Sequence, residues 1–552
     1  MNADPDVADD TDVDAGSDAT RYLCVAAHTD DGFADRVLAE VLDDDLRAVA
    51  PSVGFDLDPV VRHCLAARRR RLRRDAALTV TGLAAVLLAP VWTLLAGVTM
   101  LVGTSLAPSR PTRNGPALPV LSMLAVGLTS VLLIVQLDMP ASADGGLSLA
   151  GRPVPALLAG LAAYAVLAAH LLGTRRILVG RLRRERFHPE RPVPGEADSW
   201  SAPRRRVIAR AQHGNVTVYG GYAPFVGHGT PVAGWSFALP IRTADGAARP
   251  VAADGSTAGD VPFTVVELID HVRQRLAALT ADGDGTDRLA GLRLQDRVFV
   301  SGEALTGDSR FLPNRQDAPR QRMTGPEIHA VAAHPHGAAR HYLCALVPSW
   351  GGEVVASTFL HFSTDGRLLY LECARAVLEP PRQGYHDVDR LTEWLPAGQL
   401  VQILATAAQR LLPTALGAPV RLLAAAVHRL RRDRRRARNR QAVREDLGHD
   451  YGAHTGVREL AAGATYHNYF QVLDAAKHLK VVERHVLAAI LDLLDARGVD
   501  TTEFRSRQTT ILNHGVVQTG GLSVVTNQAV GPGATAGQRV GTAAPAPRPG
   551  TP

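Results

Sequence analysis

With 552 residues, the chain is long enough for several domains of roughly 100 to 200 residues each. Its formal net charge of +6 comes from basic residues that occur in blocks, so the total does not by itself predict a nucleic-acid partner. The four cysteines have neither the spacing of a zinc knuckle nor that of a disulfide framework. We therefore expect reduced, partly buried thiols at Cys24, Cys64, Cys344 and Cys373.

The first part of the chain divides into a tail and a helical region. Residues 1–20 are acidic and polar and contain no apolar segment of the kind found in signal peptides, which predicts a disordered acidic tail. In residues 21–75 apolar side chains recur at the spacing of an α-helix. We expect a small helical region there, interrupted at Pro51 and Gly54.

Residues 76–174 form the predicted transmembrane region. They contain three apolar stretches without a charged residue, at 78–107, 117–137 and 154–173. The second and third have the length of about 20 residues that an α-helix needs to cross a bilayer. Lipid offers the backbone no hydrogen-bonding partner, so we predict that both are spanning helices.

The first apolar stretch has about 30 residues, too many for one upright span and too few for two. Pro90 lies near its centre, and proline removes a helix hydrogen bond and kinks the axis. We therefore expect a re-entrant hairpin of residues 78–89 and 91–106. One long tilted span is the alternative.

Arginines flank the apolar region on both sides, at residues 68–74 and 175–186. Short flanks rich in arginine stay in the cytoplasm, which predicts a multi-pass protein of the bacterial inner (plasma) membrane with both termini cytoplasmic. Residues 138–152 carry two aspartates and one arginine and are expected outside. The apolar stretches contain no series of polar residues, and this argues against a transporter or channel.

Residues 187–381 change to the alternation typical of strands and predict an α+β soluble domain on a mainly antiparallel sheet. Strands are expected at residues 207–211, 216–219, 235–241, 292–300, 342–347, 354–362 and 368–377, and one helix at 265–279.

The remaining chain is predicted to be helical and then disordered. Residues 382–440 form an amphipathic basic helical linker, broken at Pro413 and Pro419 and ending in an arginine run. No aromatic residues interleave with these arginines, which favours anionic lipid headgroups over nucleic acid as their partner. A helical region at 441–510 and a Gly-rich disordered tail at 511–552 follow.

A glycine-rich segment at residues 219–229 is the densest unusual motif. Such loops present backbone N–H groups to phosphate, although this one has neither the P-loop pattern nor a dinucleotide fingerprint. Tyr219, Tyr222 and His228 are the predicted ligand contacts, and a tight structural loop between strands is the alternative.

No catalytic residue, metal site or cofactor is predicted. His329, His334, His336 and His341 are close in sequence but lack a metal-ligand spacing. Cys344 and His341 belong to one predicted strand, where a separation of three residues places them on opposite faces. Enzyme activity is therefore left open, with the balance against it.

Several segments resemble an uncharacterised family of actinobacterial multi-pass membrane proteins. They are RYLCVAA at Arg21, GNVTVYGGYAPFVGHG at Gly214, GWSFALPI at Gly234, ARHYLCALVPSWGGEVVASTFLHF at Ala339, DYGA at Asp450 and ILNHGVVQTGG at Ile511. The resemblance implies an inner-membrane location and assigns no activity.

The leading functional hypothesis is a membrane-anchored cytoplasmic binding or scaffold module, with the lipid bilayer, anionic headgroups and a protein partner or second copy as its contacts. One alternative is an enzyme that acts on a membrane-proximal or phosphorylated small molecule at residues 220–229. Another is a signalling or defence adaptor that self-assembles through the β-prone residues 511–530.

Overall fold

The computed structural model describes residues 18–94, 97–98, 154–193, 202–242, 262–280, 288–335, 337–445, 448–463 and 465–514. The chain forms two compact units, residues 1–501 and 502–552. In the second unit the described part is a helix, α11 (Thr502–His514). The apolar stretch 117–137 lies outside the described residues, as do most of the predicted acidic tail and of the predicted Gly-rich tail.

The predicted N-terminal helical region is confirmed. It consists of α1 (Asp18–Thr29), α2 (Asp31–Val37), a π-helical turn (Leu38–Leu42) and α3 (Leu57–Leu88). Asp30 and Asp56 cap α2 and α3, since each side chain accepts a hydrogen bond from a backbone N–H of the first turn. The predicted break at Pro51 and Gly54 lies in the segment between them.

Helix α3 has two different halves. Its first half packs in a core with α1 and α2, where Val60 and Leu65 are buried. Its second half exposes apolar side chains, with Val80 67% and Leu87 72% exposed. The predicted boundary at residue 75 therefore lies inside one continuous helix.

Helix α3 ends at Leu88, and its C-cap residue Ala89 lies immediately before Pro90, as expected for the residue that precedes a proline. A helical segment resumes at residues 90–94. The break at the centre of the first apolar stretch is thus confirmed. Most of its second half lies outside the described residues, so the hairpin stays a prediction.

The third apolar stretch forms α4 (Val154–Arg181), which extends beyond the predicted end at residue 173. It packs against α3, where the Arg70 guanidinium donates to the His170 carbonyl oxygen over 3.2 Å. Leu178 and Leu182 enter the same core as the first half of α3. The two long helices are therefore rooted in one core.

The expected break of residues 382–440 at two prolines is wrong, because α8 (Ala397–Arg444) continues through Pro413 and Pro419. A proline deprives the helix of one hydrogen bond, and packing can compensate for that loss. Here α8 packs on both α3 and α4. The Arg421 guanidinium also donates to the Thr414 carbonyl oxygen over 2.7 Å.

Two helices of the described chain are long and apolar enough to cross a membrane, α4 and α8. The criterion rests on length and composition alone. Helix α8 was expected to be a linker rather than a candidate span.

Residues 216–378 contain a six-stranded sheet, which confirms the α+β prediction. Its strands are β1 (Val216–Tyr219), β2 (Thr230–Pro240), β3 (Arg293–Ser301), β4 (Ala339–Ser349), β5 (Val354–Thr364) and β6 (Leu368–Leu378). Their order is β1-β3-β4-β5-β6-β2. Only the β1–β3 pair of this sheet is parallel, so the sheet is mainly antiparallel, as predicted.

The predicted strand at residues 207–211 is wrong, because this segment belongs to α5 (Ala202–Ala211). Arg204, Ile208 and Ala211 are buried, and their spacing of four and three residues is that of one helix face. The predicted helix at 265–279 is confirmed as α6 (Val265–Ala277). A second helix, α7 (Gly325–Ala333), was missed despite its Thr324 and Glu327 capping box.

Helices pack on one face of the sheet. Arg273 of α6 bonds Asp296 of β3, and Glu483 of α10 (Tyr469–Ala496) accepts from Trp235 of β2. The short helix α9 (Val457–Ala461) precedes α10 along the chain. Helix α7 adds Ile328 to the same face. The opposite face is covered in part by the glycine-rich loop.

The contact between α3 and α8 yields a stability prediction. Asp75 is buried and bonds both Arg74 and Arg421 over 2.9 Å. Asp75→Asn leaves two partly buried cations without their counter-charge, and we expect a loss of about 2 kcal/mol in unfolding free energy. Thermal unfolding of the purified chain measures it.

Arg434→Gln, on an exposed part of α8, is the control and should change stability by less than about 0.5 kcal/mol. In the Asp75→Asn, Arg421→Gln double variant, the two effects should not add, because both changes break one interaction. Additive losses would contradict the role assigned to this ion pair.

Candidate functional site

The glycine-rich loop, residues 219–229, folds over one face of the sheet through an aromatic side chain. Phe225 stacks on Phe359 of β5 with ring centroids 4.1 Å apart. It meets Phe299 and Tyr342 edge-on at 5.2 and 5.4 Å. The loop is therefore packed onto the sheet by a cluster of aromatic rings.

Backbone N–H groups of the loop do bind an anionic group, but this group is a carboxylate of the chain itself. Gly227 and Gly229 donate to one oxygen of the Glu459 carboxylate over 2.8 and 3.0 Å. Both glycines have positive φ, 89° and 85°, which brings their N–H groups to the same side. These two donors are thus already satisfied by Glu459.

The three predicted ligand contacts lie in three different environments. Tyr222 is 99% exposed, and Tyr219 is half-buried against the loop. His228 is fully buried, with its ring edge-on to Phe359 at 4.8 Å and its Nδ1 3.4 Å from the Ser357 hydroxyl. The structure does not bring them together as one site, and their contact with a ligand stays a prediction.

Burial lowers the pKa of His228 to about 3, and the nearby Arg297 cation acts in the same direction. The imidazole is therefore neutral at physiological pH. Arg297 is itself buried beneath the loop and donates to the Thr217 hydroxyl over 3.1 Å. Both polar side chains of this sheet face are therefore shielded from solvent.

The expected separation of Cys344 and His341 is confirmed. Cys344 lies on the buried aromatic face, whereas His341 bonds Asp296 on the helix-covered face over 2.8 Å. Burial raises the pKa of the Cys344 thiol to about 12, so it is protonated. All four cysteines are free and buried, more completely than expected.

The histidines near residue 335 do not converge. His329 is exposed on α7, His334 follows its last turn and His341 bonds Asp296. His336 lies outside the described residues.

A different group does converge, and sequence reasoning missed it. Glu353, His386 and His467 place one potential metal-ligating atom each within 4.8 Å of one another. The Glu353 Oε2 atom is 3.0 Å from His386 Nε2 and 3.9 Å from His467 Nδ1. The residues are 33 and 81 positions apart along the chain, so no local spacing reveals them.

A cavity of about 330 Å³ lies between α3 and α8. Its charged lining combines arginines with aspartates and includes Arg68, Arg71, Asp75, Arg421, Arg429 and Arg432. Arg71 pairs with Asp31 and Asp35, whereas Arg68 and Arg429 have no ion pair with a carboxylate of the described residues.

The sequence of residues 234–526 matches the family described as AbeC-like domain, and this segment is more than half of the chain. The protein belongs to the AbeC-like domain family. The expected resemblance is thereby supported at the level of a domain family, while the finer assignment to actinobacterial multi-pass membrane proteins stays a prediction. No curated protein and no solved structure matches the chain.

The candidate sites differ in their position relative to the segment that matches the family. Glu353, His386 and His467 all lie within the AbeC-like domain. The glycine-rich loop at 219–229 and the whole of α3 precede it.

The buried His228 yields a prediction on pH dependence. Its folded pKa is below the ordinary value of 6.5, so the unfolded chain binds more protons and stability falls as pH drops from about 6.5 towards 3. Between pH 7 and pH 5 this one group should cost about 2 kcal/mol. His228→Leu should therefore lose less stability over that interval than the unaltered chain.

Thermal unfolding midpoints at pH 7 and pH 5 make the comparison. His329→Leu, at an exposed histidine, serves as the control and should behave as the unaltered chain. An equal acid-induced loss in His228→Leu and the unaltered chain would refute the assignment.

Proposed function

We propose that the protein is a membrane-anchored binding or scaffold module of the bacterial plasma membrane. Its α+β body lies at the cytoplasmic surface, and both termini are cytoplasmic. The partner we assign to its junction with the membrane is an anionic lipid headgroup.

The observation that carries the proposal is the change of environment along α3. The helix is buried in a protein core up to about residue 67 and exposes large apolar side chains from Val80 onward. Six arginines among residues 68–74 lie between these two parts. A protein in water hides such a surface, whereas a bilayer with cytoplasmic arginines at its edge accommodates it.

Helix α4 has the same two environments in the reverse order along the chain. Leu158 and Leu161 are 62% and 64% exposed, and Leu178 and Leu182 are buried in the core that also holds α3. Two helices rooted in one core and apolar at their outer ends are what a membrane anchor requires.

Contacts along α8 favour a helix that lies across this pair at the membrane surface. Gln399 accepts from Arg175 of α4 over 3.0 Å, and Arg421 bonds Asp75 of α3. These residues of α8 are about 33 Å apart at 1.5 Å per residue. Yet Arg175 and Asp75 both lie within five residues of the Arg74–His170 contact between α3 and α4. The Tyr164 hydroxyl of α4 also donates to the Leu404 carbonyl oxygen over 3.2 Å, so the first part of α8 packs on the apolar stretch of α4 as well.

The exposed face of α8 is suited to the apolar side of a bilayer surface. Leu416, Val420, Leu423 and Leu430 are exposed and recur at helical spacing. On other faces, Arg432 and Arg440 pair with Asp43 and Asp45 of the soluble core. Part of the arginine run predicted for lipid headgroups therefore has partners within the chain.

The cavity between α3 and α8 offers the site for one anionic headgroup. Its aspartates already engage Arg71, Arg74, Arg421 and Arg432. Arg68 and Arg429 line the same cavity and form no close ion pair with a carboxylate of the described residues, although Asp43 and Asp35 attract Arg68 from a longer distance. Burial lowers the pKa of Arg68, and the nearby Arg432 and Arg429 cations act in the same direction against Asp43 and Asp35, so an anion bound in the cavity would stabilise its charge.

The enzyme alternative finds less support. It relied on the N–H groups of residues 220–229, and Glu459 occupies those of Gly227 and Gly229. The adaptor alternative relied on residues 511–530, most of which lie outside the described residues.

Cysteine labelling in intact bacterial cells tests the placement. The native thiols are buried, so an impermeant maleimide should report the introduced cysteines. Ser142→Cys, in the loop expected outside, should react in intact cells. Gly448→Cys, exposed in the soluble region, should react only after permeabilisation. Labelling of Gly448→Cys from outside, or release of the unaltered chain by carbonate, would overturn the proposal.

Lipid-dependent thermal unfolding tests the headgroup. In detergent, phosphatidylglycerol should raise the unfolding midpoint more than phosphatidylcholine with the same acyl chains, because a ligand at 100 times its dissociation constant adds about 2.7 kcal/mol. The Arg68→Ala, Arg429→Ala double variant should lose this difference. The exposed pair Arg431→Ala, Arg434→Ala should retain it. Equal loss in both pairs would reject the cavity as the site.

A further inference from the structure

We propose that Glu353, His386 and His467 form a binding site for a divalent transition-metal ion, with zinc as the ion of first choice. The site lies in the soluble region and is independent of membrane attachment. It would give this AbeC-like domain a metal centre held by two imidazoles and one carboxylate.

The three side chains come from three separate segments. Glu353 immediately precedes β5 in the β4–β5 turn, and His386 lies on the 3-10 helix Gln383–Arg390. His467 immediately precedes Asn468, the residue that caps α10. Each is held by a turn or a helix end, so the backbone fixes the convergence.

The distances suit a metal ion. Zinc binds imidazole nitrogen and carboxylate oxygen at about 2.0 to 2.2 Å, so tetrahedral ligand atoms lie about 3.3 to 3.5 Å apart. The two separations measured from Glu353 Oε2, 3.0 and 3.9 Å, lie on either side of that value. The ligating nitrogens of His386 and His467 also lie within 4.8 Å of each other, so all three atoms surround one point.

An ion pair between Glu353 and His386 explains the position of only two of the three side chains. These two residues form a hydrogen bond by themselves. His467 also directs a nitrogen towards the same carboxylate oxygen, and its ring stands edge-on to His386 with centroids 4.5 Å apart. Two imidazoles and one carboxylate around one point are the donor set of a divalent metal site.

The surroundings hold the ligands while leaving them accessible. Tyr22 of α1 packs on the His386 ring with centroids 3.9 Å apart. The Arg458 guanidinium donates to the Glu353 carbonyl oxygen, which fixes the turn. The three side chains keep between 13% and 21% of their surface exposed, so an ion can enter.

Three protein ligands leave at least one coordination position for water or another ligand. Catalytic zinc sites have this composition, whereas structural zinc sites have four protein ligands. Nitrogen and oxygen donors favour zinc or another first-row divalent ion over magnesium and calcium, which prefer oxygen alone.

Zinc titration of the purified full-length chain tests the site. After treatment with a chelator and dialysis, the unaltered chain should bind one equivalent of zinc in competition with a chromophoric chelator. The His386→Gln, His467→Gln double variant should bind it at least tenfold more weakly. His329→Gln, His485→Gln is the matched control, with the same number of histidines removed elsewhere, and should bind as the unaltered chain does.

Cobalt provides a second measurement that needs no variant. One equivalent of Co²⁺ should produce visible absorption bands of a low-coordinate nitrogen and oxygen site, and zinc should abolish them. If the double variant does not fold, these bands in the unaltered chain decide. Absence of the bands, or equal zinc affinity in the double variant and the control, would overturn the proposal.

Discussion

Helix α3 is packed in a protein core over its first half and exposes apolar side chains over its second half, while its backbone remains one continuous helix. Because the helix is continuous, the packing of its first half also fixes the position of its exposed second half. Six arginines among residues 68–74 and the buried carboxylate of Asp75 lie at the transition between the two halves. The positions of α4, α8 and the cavity between α3 and α8 all depend on contacts made at this level.

Helix α8 illustrates how tertiary contacts override a local signal. Two prolines favour a break, but a helix that packs on two neighbours keeps its axis when the lost hydrogen bonds cost less than the packing contributes. Arg421 contributes on both counts, since it bonds the Thr414 carbonyl oxygen and the Asp75 carboxylate. One side chain thus supports the helix and fastens it to α3.

The glycine-rich loop and the Glu353–His386–His467 group differ in where their polar atoms find partners. In the loop, two backbone N–H groups already hold Glu459, and His228 is enclosed beside Phe359. In the Glu353–His386–His467 group, three potential metal-ligating atoms converge at a point that solvent can reach. Glycine patterns report backbone conformation, and that conformation serves packing as readily as it serves ligands.

The sequence alone determined the periodic features: the N-terminal helices, the helical third apolar stretch, six of seven predicted strands and the antiparallel connections of β4, β5 and β6. These follow from spacing along the chain, which local backbone geometry converts into structure. Only the tertiary structure decided the helical state of residues 207–211, the continuity of α8 and the convergence of Glu353, His386 and His467. The first two depend on what packs against a segment, and the third on which turns meet in space. Residue spacing alone does not show which side chains become buried or which distant turns meet.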